Sequence, residues 1–146
     1  MNEEQTIKWG AIIWSAILIF VLSTLLASAA PAVYGTYIGF QTRGDMELVN
    51  AGVANLTGST FFGIYFFAAL ALIAFWRGAV LAKKVAYRLN LHTGLAAGLA
   101  VLVPLALGFV VGDPMSVVDL LLQAAVTFGG AYLGAFWAGK RAVAVA

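Results

Sequence analysis

Long uncharged stretches alternate with short charged segments along the chain. Asp, Glu, Lys and Arg are absent from residues 9–42, 48–76, 89–112 and 120–139. A helix needs about 20 apolar residues to cross the hydrocarbon layer of a membrane, and each stretch is long enough. Backbone groups in lipid must bond within their own segment, so we expect helices rather than open strands. The sequence therefore predicts four transmembrane helices, at residues 9–30, 58–80, 92–112 and 118–138.

The composition indicates that lipid surrounds most of this protein. Of the 146 residues, 63% are hydrophobic and 10% are charged, whereas soluble domains carry about 25% charged residues. The alternation of apolar and polar positions that is typical of a membrane β-barrel is absent. We therefore expect an all-α integral membrane protein, a four-transmembrane-helix bundle in which residues 1–146 form a single membrane domain.

The positions of the cations predict how the helices cross the membrane. If the N-terminus is cytoplasmic, the inner segments 1–8, 77–91 and 139–146 hold seven of the eight Lys and Arg residues. The outer segments hold only Arg43, which lies near two acidic residues. Because cytoplasmic loops are enriched in Lys and Arg, we expect an N-in, C-in protein of the plasma (inner) membrane, with both termini cytoplasmic.

The cations of the inner segments are also candidates for contact with anionic lipid headgroups. The residues expected to set topology and to meet these headgroups are Arg77, Lys83, Lys84, Arg88, Lys140 and Arg141. On a continuous helix, Arg77, Lys84 and Arg88 would form one basic stripe. Since the topology already accounts for these charges, we favour an anchoring role over a dedicated ligand site.

The connection at residues 31–57 carries a second pattern. Tyr34, Tyr37 and Phe40 are candidate aromatic anchors at the outer membrane interface. Asp45 can cap a helix, and the apolar residues that follow it recur at helical spacing. We therefore predict a short interfacial helix at residues 45–56. The alternative is that this segment extends the second transmembrane helix outward.

Small and polar residues are aligned on the third and fourth predicted spans. The residues predicted to pack helices together are Gly94, Gly98, Gly108, Gly112, Gln123, Thr127, Gly130 and Gly134. Small residues let helix backbones approach closely in lipid, where packing supplies the attraction. The favoured interpretation is contact between these two spans, and the alternative is a docking face for another subunit. For Gln123 and Thr127 we expect one interhelical hydrogen bond, the alternative being the lining of a pore.

Residues that would support catalysis are scarce. The chain has no cysteine, which excludes thiolate metal sites and thiol nucleophiles. No acid and base lie within one layer of the predicted spans, so we expect no catalytic residues, no metal and no cofactor. His92 alone is a candidate ligand for a haem or pigment.

These observations favour one function over two alternatives. We expect a non-catalytic accessory or structural subunit that contacts membrane lipids, packs against a larger membrane-protein complex and does not bind nucleic acid. The first alternative is a small homo-oligomeric channel, transporter or membrane lesion protein, in which Gln123, Thr127 and Gly130 would line a path between protomers. The second alternative is a haem- or pigment-binding subunit that uses His92. An enzyme is the least supported class.

Overall fold

The computed structural model of the protein describes residues 6–85, 87–112 and 115–144, with side chains as far as residue 139. This part of the chain is all-α and contains α1 (Trp9–Gln41), α2 (Met46–Thr57), α3 (Thr60–Lys84), α4 (Leu89–Val111) and α5 (Val117–Ala144). All except α2 are long and apolar enough to cross a membrane. The all-α class and the four long helices are confirmed, and the short helix predicted at residues 45–56 is present as α2.

The first long helix extends well beyond its predicted end at residue 30. α1 runs for 33 residues and contains Pro31 in its interior. A proline lacks the backbone N–H, but it is tolerated in membrane helices when neighbouring groups bond to the freed carbonyls. The hydroxyl of Tyr65 in α3 donates a hydrogen bond of 2.9 Å to the carbonyl oxygen of Leu26, close to this proline. The connection predicted at residues 31–57 is therefore mostly helical, and only residues 42–45 separate α1 from α2.

The short helix α2 folds back against the last turns of α1. The carboxylate of Asp45 caps it by accepting hydrogen bonds of 3.0 and 3.3 Å from two backbone N–H groups of the first turn, as predicted. A Cβ atom placed on Gly35 of α1 would lie 3.0 Å from Cγ2 of Val53. The apolar face of α2 therefore packs on α1, and Tyr37 and Phe40 remain exposed on the outside of α1.

The turn between α3 and α4 interrupts the predicted basic stripe. α3 ends at Lys84, and Val85 has an extended backbone with φ −128° and ψ 104°. Arg88 then adopts a left-handed conformation with φ 50° immediately before α4 begins. Because Arg77 and Arg88 do not share one helix, the stripe predicted from continuous helical geometry does not form.

The core is shared by the four long helices, with α3 at its centre. α3 contacts each of the other helices, and its contact with α5 is the most extensive. The core residues form three clusters: Ala16, Ile19, Leu70, Ile73 and Ala100; Ile12, Leu81, Val85 and Ala96; and Ala74, Ala97 and Ala131. Each cluster joins α3 to two other long helices: the first two clusters join it to α1 and α4, and the third joins it to α4 and α5.

Two helix starts, those of α1 and α4, and two helix ends, those of α3 and α5, lie at a common end of the molecule, which we call the basic end. The ammonium group of Lys8, next to the start of α1, donates a hydrogen bond of 3.2 Å to the carbonyl oxygen of Lys84 at the end of α3. α4 starts after Arg88, and a Cβ atom on Gly139 of α5 would lie 3.9 Å from Leu89. The long helices therefore alternate in direction along the chain.

Candidate functional site

His92 connects α1 to α4 at the basic end. Its side chain is 1% exposed. The Nε2 atom accepts a hydrogen bond of 3.0 Å from the backbone N–H of Lys8, and Nδ1 lies 3.0 Å from the carbonyl oxygen of Arg88. Since a carbonyl oxygen only accepts, Nδ1 carries the proton and donates it. Both ring nitrogens are thus bonded to backbone groups, and this arrangement leaves no nitrogen lone pair for a haem or pigment.

Arg77 lies inside the protein rather than at its surface. Its side chain is 6% exposed, and Ser15 of α1 is 1% exposed. One terminal nitrogen of the guanidinium, Nη2, donates a hydrogen bond of 3.1 Å to the hydroxyl of Ser15, while Nε is buried without a partner. The Arg77 side chain therefore points into the core, and its predicted contact with lipid headgroups stays a prediction. Sequence analysis missed both this pair and the presence of a charge inside the helix packing.

Thr93 of α4 lies at a similar depth. Ala74 and Ala97 share a core cluster, and Arg77 and Thr93 each lie about one helical turn from them toward the basic end. Thr93 is 1% exposed, and its hydroxyl has no hydrogen-bond partner in the described part of the chain. Three helices therefore contribute polar side chains to one layer, and among the described residues Arg77 carries the only buried charge.

The other cations behave differently from Arg77. Lys83, Lys84 and Arg88 are exposed, as contact with headgroups requires. The guanidinium carbon of Arg88 lies 5.2 Å from the ring centroid of its neighbour Tyr87. The guanidinium carbon of Arg77 lies 5.1 Å from the ring centroid of Trp76. Lys140 and Arg141 belong to α5, but their side chains lie outside the described residues. The predicted headgroup contacts of these five cations stay predictions.

The glycine face of α5 packs against α3 and not against α4. A Cβ atom on Gly134 would lie 1.9 Å from the carbonyl oxygen of Phe75, and one on Gly130 would lie 2.7 Å from that of Ala71. Reciprocally, a Cβ atom on Gly78 of α3 would lie 2.0 Å from the carbonyl oxygen of Ala131. The two backbones touch at these positions, so the glycines form an internal contact whose partner helix differs from the one expected.

The glycines of α4 have separate roles. Gly94 and Gly98 face aromatic side chains of α5: Cβ atoms there would lie 2.8 Å from the Tyr132 hydroxyl and 3.8 Å from the Phe128 ring. Gly112 ends α4 in a left-handed conformation with φ 81°, and its N–H donates to the carbonyl oxygen of Gly108. A Cβ atom on Gly112 would meet nothing within 4 Å. Gly112 therefore ends the helix, and the packing role predicted for it stays a prediction.

Gln123 and Thr127 are buried but do not form the expected hydrogen bond. They are 8% and 1% exposed. The hydroxyl of Thr127 has no partner in the part of the chain that is described, and the Gln123 amide likewise makes no hydrogen bond there. Gln123 instead lines a cavity of about 300 Å³ between α3 and α5. This cavity, the aromatic groove, is also lined by Phe62, Gly63, Phe66, Phe67, Met115 and Asp119.

A larger groove lies on the exposed surface of α4 and α5 near the basic end. This α4–α5 groove has a volume of about 760 Å³, and its lining includes Leu89, Asn90, Gly129, Tyr132, Leu133, Phe136 and Gly139. A Cβ atom on Gly129 would meet nothing within 4 Å. The Tyr132 hydroxyl donates a hydrogen bond of 3.0 Å to the carbonyl oxygen of Asn90, which fixes one wall. The groove is thus an apolar depression with a small residue exposed in it.

Comparison of the chain with protein-family models, with curated proteins and with solved structures finds no match. Within residues 6–85, 87–112 and 115–144, no three His, Asp or Glu side chains are grouped so that they could hold a metal ion.

Proposed function

We propose that this chain is a non-catalytic integral membrane subunit that packs against a larger membrane protein. The α4–α5 groove carries the proposal, and its occupant is a single transmembrane helix of the partner. The groove is apolar, so a helix can fill it without desolvating charged groups. Gly129 offers a point of close backbone approach between the larger side chains of Tyr132 and Leu133, and such small residues are enriched where membrane helices pack together.

The distribution of charge supports a non-catalytic role. In the described part of the chain, Arg77 is the only Lys, Arg, Asp or Glu residue that is buried, and its hydrogen-bond partner is the neutral Ser15. Asp45, Glu47 and Asp119 are exposed and lie toward the end opposite the basic end. An acid and a base at hydrogen-bond distance, which proton transfer requires, are not brought together among these residues.

The two alternative functions, a homo-oligomeric channel and a haem- or pigment-binding subunit, are less well supported. A path between protomers lined by Gln123, Thr127 and Gly130 requires these residues to face outward, whereas Thr127 is buried and Gly130 lies against α3. A homo-oligomeric channel, transporter or lesion protein would have to use another face. Haem or pigment ligation by His92 requires the ring to give up a hydrogen bond to Lys8 or Arg88.

Photo-crosslinking in the membrane can test whether a partner helix occupies the α4–α5 groove. We expect p-benzoylphenylalanine in place of Leu133, which is 63% exposed in the groove, to give one discrete adduct with a larger membrane protein. The same protein should co-purify with the wild-type chain. The matched control replaces Leu72, which is 70% exposed on α3 away from the groove, and should give no adduct.

A second variant links the adduct to the groove. A Cβ atom on Gly129 meets nothing within 4 Å, so the side chain of Gly129→Leu extends into the groove, and co-purification should be lost while the variant remains folded. Retention of the partner by Gly129→Leu, or equal adducts from both crosslinking positions, would contradict the proposal. An adduct of twice the 15.3 kDa mass of the chain would instead support the homo-oligomer.

We also infer that the basic end faces the cytoplasm, which makes the protein N-in and C-in in the plasma (inner) membrane. Lys8, Lys83, Lys84 and Arg88 lie at this end, whereas Arg43 lies in the turn after α1 at the opposite end. Cations near span ends are retained on the cytoplasmic side during insertion.

Topology can be tested without disturbing the buried arginine. Combined Lys83→Gln, Lys84→Gln and Arg88→Asn substitutions remove exposed cations only, and asparagine tolerates the left-handed backbone of residue 88. We expect a C-terminal reporter to lose its exclusively cytoplasmic location in this variant, because the strongest orienting charges are gone. Arg43→Gln is the control and should leave the reporter cytoplasmic. An unchanged reporter in the triple variant would remove the main support for this orientation.

A further inference from the structure

The aromatic groove combines aromatic rings with two polar side chains in a way that the proposed function does not use. It lies between the first turns of α3 and α5, at the end opposite the basic end. Phe66 and Phe67 line it and also pack against the first core cluster, and their ring centroids are 5.3 Å apart at an angle of 63°. The rings are therefore held in place by the core.

Asp119 supplies a carboxylate at the edge of this groove. The Ser116 hydroxyl donates a hydrogen bond of 2.6 Å to Oδ2 of Asp119 and accepts one of 3.1 Å from its backbone N–H. This reciprocal pair caps α5 and fixes the side chain. Within the described residues, Oδ1 makes no hydrogen bond and the carboxylate forms no ion pair. One carboxylate oxygen of a restrained side chain is therefore available to a ligand.

Gln123 adds an unsatisfied amide to the same groove. It lies four residues after Asp119, so the two side chains share a face of α5. Gln123 is 8% exposed, lines the groove, and has no hydrogen-bond partner in the described part of the chain. Its amide is therefore available to a polar group of a ligand in the groove.

We propose that the aromatic groove binds an organic ammonium group, with Asp119 as its counter-charge, Gln123 as a hydrogen-bonding partner and the Phe66 and Phe67 rings as an aromatic wall. A cation over an aromatic face is attracted by the electron density of the ring, and the carboxylate attracts the same charge. An anion would be repelled by Asp119. A volume of about 300 Å³ fits a small headgroup or amine, since ligand pockets start at about this size.

The ammonium group has two sources that share this chemistry: a free amine or the headgroup of a phospholipid. Choline is a suitable probe because its carbon isostere, 3,3-dimethylbutan-1-ol, has the same shape without the charge. We expect saturation-transfer NMR on the detergent-purified chain to show choline binding about tenfold tighter than binding of the isostere. Equal binding of the two probes would overturn the proposal, because the groove would then recognise shape alone.

Three variants assign the binding to the groove. Asp119→Asn keeps a capping side chain but removes the charge. Gln123→Leu removes the amide, whose partner in choline is the hydroxyl because the quaternary nitrogen carries no N–H. Each variant should weaken choline binding by about tenfold. Glu47→Gln removes an equal charge from the exposed α2 at the same end of the molecule and should leave binding unchanged. Undiminished binding in both groove variants, each shown to be folded by circular dichroism, would overturn the proposal, as would an equal loss in Glu47→Gln.

Nanodiscs separate the two sources of the ammonium group. In phosphatidylglycerol nanodiscs we expect choline binding as in detergent. If phosphatidylethanolamine nanodiscs abolish that binding, the lipid headgroup occupies the groove; if they do not, the ligand is a free amine. The failure of a partner to bind the α4–α5 groove leaves this result unaffected, since the aromatic groove lies on other residues.

Discussion

Replacing Gly134 with alanine is expected to destabilise the protein by about 3 kcal/mol, at the upper end of what overpacking of a protein core costs. The added methyl carbon would lie 1.9 Å from the carbonyl oxygen of Phe75, so the backbones of α3 and α5 must separate. Neither atom belongs to a flexible side chain that can move away. Unfolding of the purified protein in mixed micelles with increasing SDS, followed by circular dichroism, measures the change.

Gly129→Ala is the matched control for this prediction. Gly129 lies on the same helix, but its Cβ position has no atom within 4 Å. Because alanine favours a helix by about 1 kcal/mol over glycine, this variant should be as stable as the wild type or slightly more so. If Gly134→Ala and Gly129→Ala unfold at the same SDS fraction, the close α3–α5 contact is incorrect.

The sequence predicted the packing face of α5 but assigned it to the wrong neighbour. Gly130 and Gly134 are recognisable by their spacing, and α4 is the adjacent helix along the chain. The actual partner face, on α3, contains Ala71, Ala74 and Gly78. This face also has small residues at helical spacing, but it has only one glycine and is surrounded by aromatic residues. Pairing depends on how well whole surfaces fit, which the spacing on one helix does not determine.

The start and end of the helices were predictable to different degrees. Asp45 predicted the start of α2 correctly, because capping is a local interaction between a side chain and nearby backbone N–H groups. The end of α1 was predicted about eleven residues too early, and the helix continues through Pro31. The hydrogen bond from Tyr65 in α3 reaches Leu26, more than one helical turn before this proline, and sequence periodicity holds no information about such a contact.

The burial of Arg77 follows from the rotation of α3 about its axis. Gly78 must face α5 because their backbones touch, and neighbouring residues on a helix point about 100° apart. Arg77 is thereby directed toward Ser15 of α1. From the sequence, the position of Arg77 after Trp76 is typical of a membrane interface. Charge and hydrophobicity predict the depth of a residue, but tertiary packing decides which way it points.

Removing the hydroxyl of Ser15 should destabilise the protein more than removing the charge of Arg77. Ser15→Ala is expected to cost about 2 kcal/mol, since a hydrogen bond to a charged group contributes about 1.5–3 kcal/mol. It leaves a buried guanidinium with one partner fewer. Arg77→Met, of similar length and without charge, should change the stability by less than about 1 kcal/mol, because replacing buried charges by apolar side chains is often neutral or stabilising.

The double variant distinguishes an interaction between these residues from a simple loss of volume. In the Arg77→Met background, Ser15→Ala should cost less than about 0.5 kcal/mol, which gives a coupling energy of about 1.5 kcal/mol between the two sites. Ser23→Ala is the control on the same helix: Ser23 is 7% exposed, but its hydroxyl bonds to the carbonyl oxygen of Ile19 in its own helix at 2.7 Å. Additive losses for Ser15 and Arg77 would show that the hydroxyl only fills space. A coupling of the expected size would mean that α1 holds a charge that α3 alone cannot accommodate in the membrane, so that the position of the first helix is set by electrostatics as well as by packing.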